Sequence, residues 1–302
     1  MDVLMDVPMD VLMDVPMDVP LDVIKMIAGY TVKHNMKLLD WINIHNIDWI
    51  HMSQNPNGID LLEANPDRIN WERLSRNPNG IHLLESNQDK IDWGYLSINP
   101  NGIKLLENNI NKIKWLCLTC NPNANHIHKN NIHKVEWGWL SSYPHAIDLL
   151  EANPDKIDWS ELSYNPSAIH LLEANPDRID WMKLSANPNA IHLLEASPDK
   201  IDWGYLSTNP NAIHLLESNQ NKIEWGELSD NQNGIHLLEA NLDKIDWYFL
   251  SRNPKAINIL KHNQDNIDWE RFSMNPSIFE PDNKQINKNT LNKAILLDPI
   301  IN

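Results

Sequence analysis

The chain has 302 residues, a net charge of −16 and 42% hydrophobic side chains. Both nucleic acid and anionic membranes are bound through clustered Lys and Arg, so this balance argues for no nucleic acid and no membrane as partner, and favours a protein partner that is basic or neutral. Two cysteines, no run near the roughly 20 apolar residues of a membrane span, and a start without a basic segment or continuous apolar core point to a soluble intracellular chain with no signal peptide or transmembrane segment.

Residues 1–23 are a low-complexity tail of MDVL and MDVP tetrapeptides. Pro8, Pro16 and Pro20 lack the amide donor and disfavour helix in the residue before them, which predicts a disordered or extended segment, with a partner-binding arm as the alternative. Residues 24–46 read as an N-terminal capping segment, because LLDWINIHNIDW (38–49) is a distorted copy of the repeat that follows.

That repeat occupies residues 47–276. Trp49, Trp71, Trp93, Trp115, Trp137, Trp159, Trp181, Trp203, Trp225, Trp247 and Trp269 are each 22 apart, with no insertion or deletion between them. A fixed period of this size marks a repeat architecture whose units bury their apolar faces only against neighbours. Unit 6, residues 157–178, reads IDWSELSYNPSAIHLLEANPDR and contains two Asn-Pro pairs. Asn caps a helix and Pro suits its first position, so two starts predict two short helices per repeat. The slot before Trp is usually Asp, yet it holds Lys114, Glu136 or Glu224 elsewhere. These are poor caps, which suggests that the second helix is already under way at Trp. The predicted fold is an all-α solenoid of tandem 22-residue repeats, an open rod near 100 Å long at about 10 Å per layer. One α-helix plus a 3₁₀ segment, or a β-containing coil, are the competing architectures. The slot of Ala168 is only ever Gly or Ala, as in Gly80 and Ala190, which implies the close approach of a large group, a neighbouring helix backbone being the expected one.

The unit IDWxxLSxNPNAIHLLEANPDK resembles the tandem repeats of a large protein group encoded by giant DNA viruses of amoebae. The resemblance covers about three quarters of the chain, and the tail and unit 4 depart from it. It implies a viral protein acting in the host cytoplasm or carried in the virion, and it transfers no catalytic residues.

Unit 4, residues 113–134, is the anomaly. Asn125 replaces the usual Ile and His128 a core Leu, while Cys117, Cys120, His126 and His133 lie nearby. Thiolates and imidazoles are zinc ligands, so Cys117, Cys120, His126 and His128 form a candidate metal site, although C-x2-C-x5-H-x-H is not a standard spacing. Sequence drift that makes this unit a local hinge is the other reading. Residues 277–302 lose the period and are expected to form a C-terminal cap, with a helix over 291–297.

A repeat turns each slot into a column. The Glu column through Glu63, Glu85 and Glu107 and the His column through His82, His126 and His170 read as solvated faces, and the Asn column through Asn55, Asn77 and Asn99 as local caps. Serines such as Ser163 read as caps too, and no glycine-rich phosphate loop or catalytic constellation is present, so the chain is expected not to be an enzyme and to need no cofactor. Two slots vary freely, the second after Trp and the one after Ser. Three apart on a helix, they share a face, and aromatic side chains of this kind dominate binding hot spots. Tyr95, Trp139, Tyr164, Tyr205 and Phe249 are therefore the candidate partner-binding residues. The expected function is a scaffold for protein-protein interaction, with a structural or virion-associated component lacking a discrete ligand as the alternative.

Overall fold

The computed structural model describes residues 36–282. The tail over 1–23, most of the segment 24–46 and the helix expected over 291–297 lie outside the described residues. Met36–Leu38 (β1) pairs with Phe279–Pro281 (β2) in a two-stranded sheet, and Lys37 Nζ meets Glu280 Oε1 at 2.9 Å. Among the described residues no helix is long and apolar enough to cross a membrane.

Residues 38–279 form an all-α solenoid with two short α-helices in each of the ten complete units, as the repeat predicts, and one α-helix with a 3₁₀ turn in unit 11. In unit 6 the first runs over Trp159–Tyr164 and the second over Ile169–Ala174, and a 3₁₀ turn follows at Pro176–Arg178. The second Asn-Pro therefore opens only that turn, and the helix bearing Trp starts afresh after it. Asp158 caps this helix by accepting from Glu161 N at 3.0 Å. Asp and Asn do the same in other units, whereas Lys114, Glu136 and Glu224 make no side-chain cap. Those three mark uncapped starts, not a helix already under way.

Units 2, 3 and 5–10 each place one Leu from either helix at their centre. Leu162 and Leu172 are fully buried in unit 6, as are Leu184 and Leu194 in unit 7. At about 1.5–3 kcal/mol for each fully buried side chain, this pair is the main cohesive element of a unit. The small slot beside them is explained from within the unit: a Cβ on Gly80 would lie 2.8 Å from Leu74 Cδ1, and one on Gly102 2.9 Å from Leu96 Cδ1. The expected neighbouring backbone is thus the unit's own leucine.

Junctions between units are stitched by side chains that sequence reasoning assigned to local capping. Ser75 Oγ donates to Trp71 O at 2.8 Å and accepts from Asp92 N of the next unit at 3.0 Å. Asn77 Oδ1 does cap its turn, accepting from Asn79 N at 3.0 Å, but its Nδ2 donates back to Ser53 O at 3.1 Å and Asn55 O at 2.8 Å in the unit before. A third rung joins Asn79 Nδ2 to Pro56 O at 2.8 Å. Ser75 and Asn77 are fully buried, so these bonds satisfy polar groups that water does not reach.

The same rungs join the last unit to the first. Asp48 N donates to Ser273 Oγ at 2.9 Å; Asn55 Nδ2 donates to Ser273 O at 3.0 Å and Asn275 O at 2.9 Å; Asn57 Nδ2 donates to Pro276 O at 2.9 Å. Unit 1 thus takes unit 11 as its predecessor, and the array is a closed ring, not the open rod expected from sequence. The residues before unit 1 do not shield a free end: Ile42 is buried, and Trp41 rests on Phe272 of unit 11 with ring centroids 5.7 Å apart.

Candidate functional site

Closure creates an inner wall. The helices that begin at Trp pack closely from unit to unit, as Trp159–Tyr164 does on Trp181–Ser185, while successive second helices stand farther apart. In a ring the closer set lies on the shorter, inner circumference. A cavity of about 760 Å³ confirms the side: Trp139, Tyr143, Tyr164, Lys183, Tyr205 and Asp230 all line it, from five consecutive units. A convex wall would not bring five units onto one cavity.

Apart from Tyr143 and a row of prolines, the lining comes from the two freely varying slots, because the helix that places Leu162 and Ser163 in the core turns Glu161 and Tyr164 the other way. Trp139 is 58% exposed, Tyr164 48% and Tyr205 40%, and the structure brings these three predicted residues to one surface. Pro144, Pro166, Pro188 and Pro210 add a rigid row between them. The other two predicted residues occupy the same slots in units 3 and 10 but outside this cavity. Arg73 Nη1 donates to the Tyr95 hydroxyl at 3.0 Å and lies over its ring, and Phe249 is flanked by Tyr248 edge-on at 5.3 Å and by Arg252 at 5.7 Å.

Sequence reasoning missed the charges on this wall. Lys183 Nζ donates to Glu161 Oε1 at 2.6 Å, and this bond holds the ammonium above its ordinary pKa range against partial desolvation. Arg252 pairs with Asp230 through both Nε and Nη2. Both pairs are 22 residues apart, and that spacing was the available signal.

Unit 4 does not assemble the predicted metal ligands. His126 Nε2 lies 2.7 Å from Glu107 Oε1 on the exposed rim, His128 is fully buried with Nε2 3.4 Å from Leu118 O, and Cys120 Sγ contacts the Tyr143 hydroxyl at 2.8 Å. Burial raises the pKa of the Cys117 thiol, with Cys120 adding to the rise. Among the described residues no three His, Cys, Asp or Glu side chains are placed to hold a metal ion. The rim columns are paired and not merely solvated: His170 Nε2 to Glu151 Oε1 at 2.7 Å is repeated at His82, His192, His214 and His236.

What unit 4 does hold is a defect at its junction with unit 5. Thr119 Oγ1 donates to Leu116 O and leaves the serine rung to Glu136 unmade; Tyr143 stands where every other unit has the buried Asn, and His145 where Asn79 makes the third rung. Asn125 Oδ1, His128 Nδ1 and His145 Nε2 are buried without a hydrogen-bond partner. Burial pushes both imidazoles below their ordinary pKa, and the neighbouring His128 lowers that of His145 further. No protein-family model, curated protein or solved structure matches this chain.

Proposed function

We propose that the chain is a non-enzymatic scaffold whose inner wall receives a segment of another polypeptide. The observation that carries this is the exposure of Trp139, Tyr164 and Tyr205 on one cavity shared by five units. Large aromatic rings left in water at a concave surface are the groups that dominate protein interfaces, and an aromatic and proline lining suits extended chain. The opening has the size for it. Inner helices about 8–10 Å apart around eleven units put their axes on a circle roughly 30 Å across. Helices about 10–12 Å wide then leave a hole on the order of 20 Å.

Selection of displayed peptides on the full chain, followed by Trp139→Ala with Tyr205→Ala, tests the reading. Selected peptides should bind at least tenfold more weakly to the double variant, while its melting temperature stays within about 2 °C because neither ring is core. Binding that ignores both substitutions, or a collapse in stability, would refute it. The virion or host-cell location implied by the repeat resemblance belongs to the same proposal, and proteomic detection in purified particles addresses it.

A further inference from the structure

The inner wall is electrically lopsided in a way the chain's total charge hides. Across the two inward slots the basic side chains are Arg73, Arg76, Lys183, Arg252 and Arg271, and the acidic ones are Glu161, Glu227 and Asp230. Lys183 and Arg252 are neutralised by Glu161 and Asp230. Among the described residues Arg73, Arg76 and Arg271 have no carboxylate partner: Arg73 contacts the Tyr95 hydroxyl, and Arg271 lies over the Tyr248 ring at 4.1 Å.

These three arginines are neighbours through closure. Arg271 belongs to unit 11 and Arg73 and Arg76 to unit 2, on either side of unit 1, whose Asp48 is taken up by His51 at 2.8 Å. Trp139, Tyr164 and Tyr205 belong to units 5, 6 and 8, so in a ring of eleven the arginine arc stands opposite the aromatic arc. Among the described residues Glu227 of unit 9 is the one carboxylate in these two slots without an ion pair, and it lies between the arcs.

Resting on the reading of the inner wall as a polypeptide site, we infer that its occupant is an acidic segment with apolar anchors, carboxylates toward Arg271, Arg73 and Arg76 and apolar side chains toward Trp139, Tyr164 and Tyr205. Among the described residues these three guanidiniums face no carboxylate within ion-pair distance, and on a concave wall such a fork-shaped donor set fits carboxylate. The chain's overall negative charge repels an acidic segment at long range. The arginine arc acts within the ring, where the rim carboxylates are screened beyond a Debye length of about 8 Å. An acidic partner also reverses what total charge suggests, which was a basic or neutral one.

The experiment measures binding of three fluorescent 18-residue peptides to the full chain: one of alternating Asp/Glu and Leu/Trp, its Lys/Arg analogue, and an Asp/Glu–Ser/Gly analogue without apolar anchors. The acidic, anchored peptide should bind at least tenfold more tightly than either analogue. Its affinity should fall at least tenfold between 50 and 500 mM salt, and at least tenfold in Arg73→Gln, Arg76→Gln, Arg271→Gln. Circular dichroism of that variant reports its fold, and single variants with threefold losses replace it if it unfolds. Equal binding of the basic peptide, or no effect of the arginines while Trp139→Ala still weakens capture, would overturn the charge assignment and leave the aromatic site standing. Loss of all peptide binding, in every variant alike, would remove both. Binding that appears only after deletion of residues 1–24, with Asp at every fourth position, would assign the site to the chain's own segment and overturn a partner in trans.

Discussion

The junction between units 4 and 5 should be where the ring opens, and restoring the repeat's own residues there should close it. The perturbation is Asn125→Ile, His128→Leu, Tyr143→Asn and His145→Asn, each the residue that other units carry in that slot. An Asn at 143 regains the two amide bonds that Asn165 makes to Ser141 O at 3.0 Å and Tyr143 O at 2.9 Å one unit later, worth about 1 kcal/mol apiece. The other three changes remove the buried Asn125 Oδ1, His128 Nδ1 and His145 Nε2, each costing about 1–3 kcal/mol while unpartnered. Allowing for imperfect repacking and for the loss of the Asn125 Nδ2 bond to His145 O and the Tyr143 contact with Cys120, the quadruple variant should gain about 2–5 kcal/mol in denaturant unfolding. In the natural chain, amide hydrogen exchange over residues 117–146 should run at least tenfold faster than over residues 183–212, and the variant should equalise them. Acid should widen the gap. Both imidazoles titrate below their ordinary value of about 6.5 in the closed ring, so the opened junction binds more protons. Closure is therefore at full strength above about pH 6.5 and is lost as pH falls toward the lowered values. Uniform exchange at all junctions, or an unchanged unfolding midpoint in the variant, would refute the defect as a seam.

Asn187→Ala removes donation to Ser163 O at 3.0 Å and Asn165 O at 2.9 Å and strands Asn189 N; a loss of about 2–4 kcal/mol in chemical denaturation is expected, and one below 0.5 would show that water satisfies the junction. Ala168→Leu overpacks the space beside Leu162 and should cost about 1–3 kcal/mol, read from the denaturant midpoint at constant slope. Gln54→Cys with Met274→Cys, whose native side chains meet at 2.7 Å, should be joined by a short bis-maleimide and found as one cross-linked peptide pair; an open rod would hold them far apart and yield none.

Much of this molecule is legible in its sequence because repetition multiplies every signal. The 22-residue spacing gives the units, the Ile-Leu-Leu stripe gives the second helix, and the freely varying slots give the wall on which Trp139, Tyr164 and Tyr205 meet. The second Asn-Pro misleads because Asn175 spends its amide on Leu171 O at 2.9 Å, ending the helix before it more than starting one after it. Ser163 misleads for a related reason: its hydroxyl has a local acceptor in Trp159 O, and nothing in a single unit reveals that Asp180 N also reaches it. Closure and the arginine arc were hidden for a stronger reason, since each depends on the sum of eleven small turns, a quantity that no individual unit contains.

Closure nevertheless leaves a trace in the end units. An open solenoid turns a polar face to water at its termini, yet unit 1 keeps Asn55 and unit 11 keeps Ser273 and Asn275, all fully buried. At a free end the Asn55 amide would lose its acceptors Ser273 O and Asn275 O, and Ser273 Oγ its donor Asp48 N. Closure also accounts for the absence of insertions between Trp49 and Trp269, because eleven junctions that share a full turn allow roughly 33° each, and a shifted unit would misplace every rung beyond it. A rod absorbs such a change at its tip, but a ring has no tip. The same constraint explains how the defect at Thr119, Tyr143 and His145 is tolerated: with the serine rung and at least one asparagine rung made at every other junction, the two faces of the weak one are held in register. In a rod that junction would be a break, whereas in a ring it is where the wall should open and re-form without the rest unfolding, as the hydrogen-exchange comparison tests.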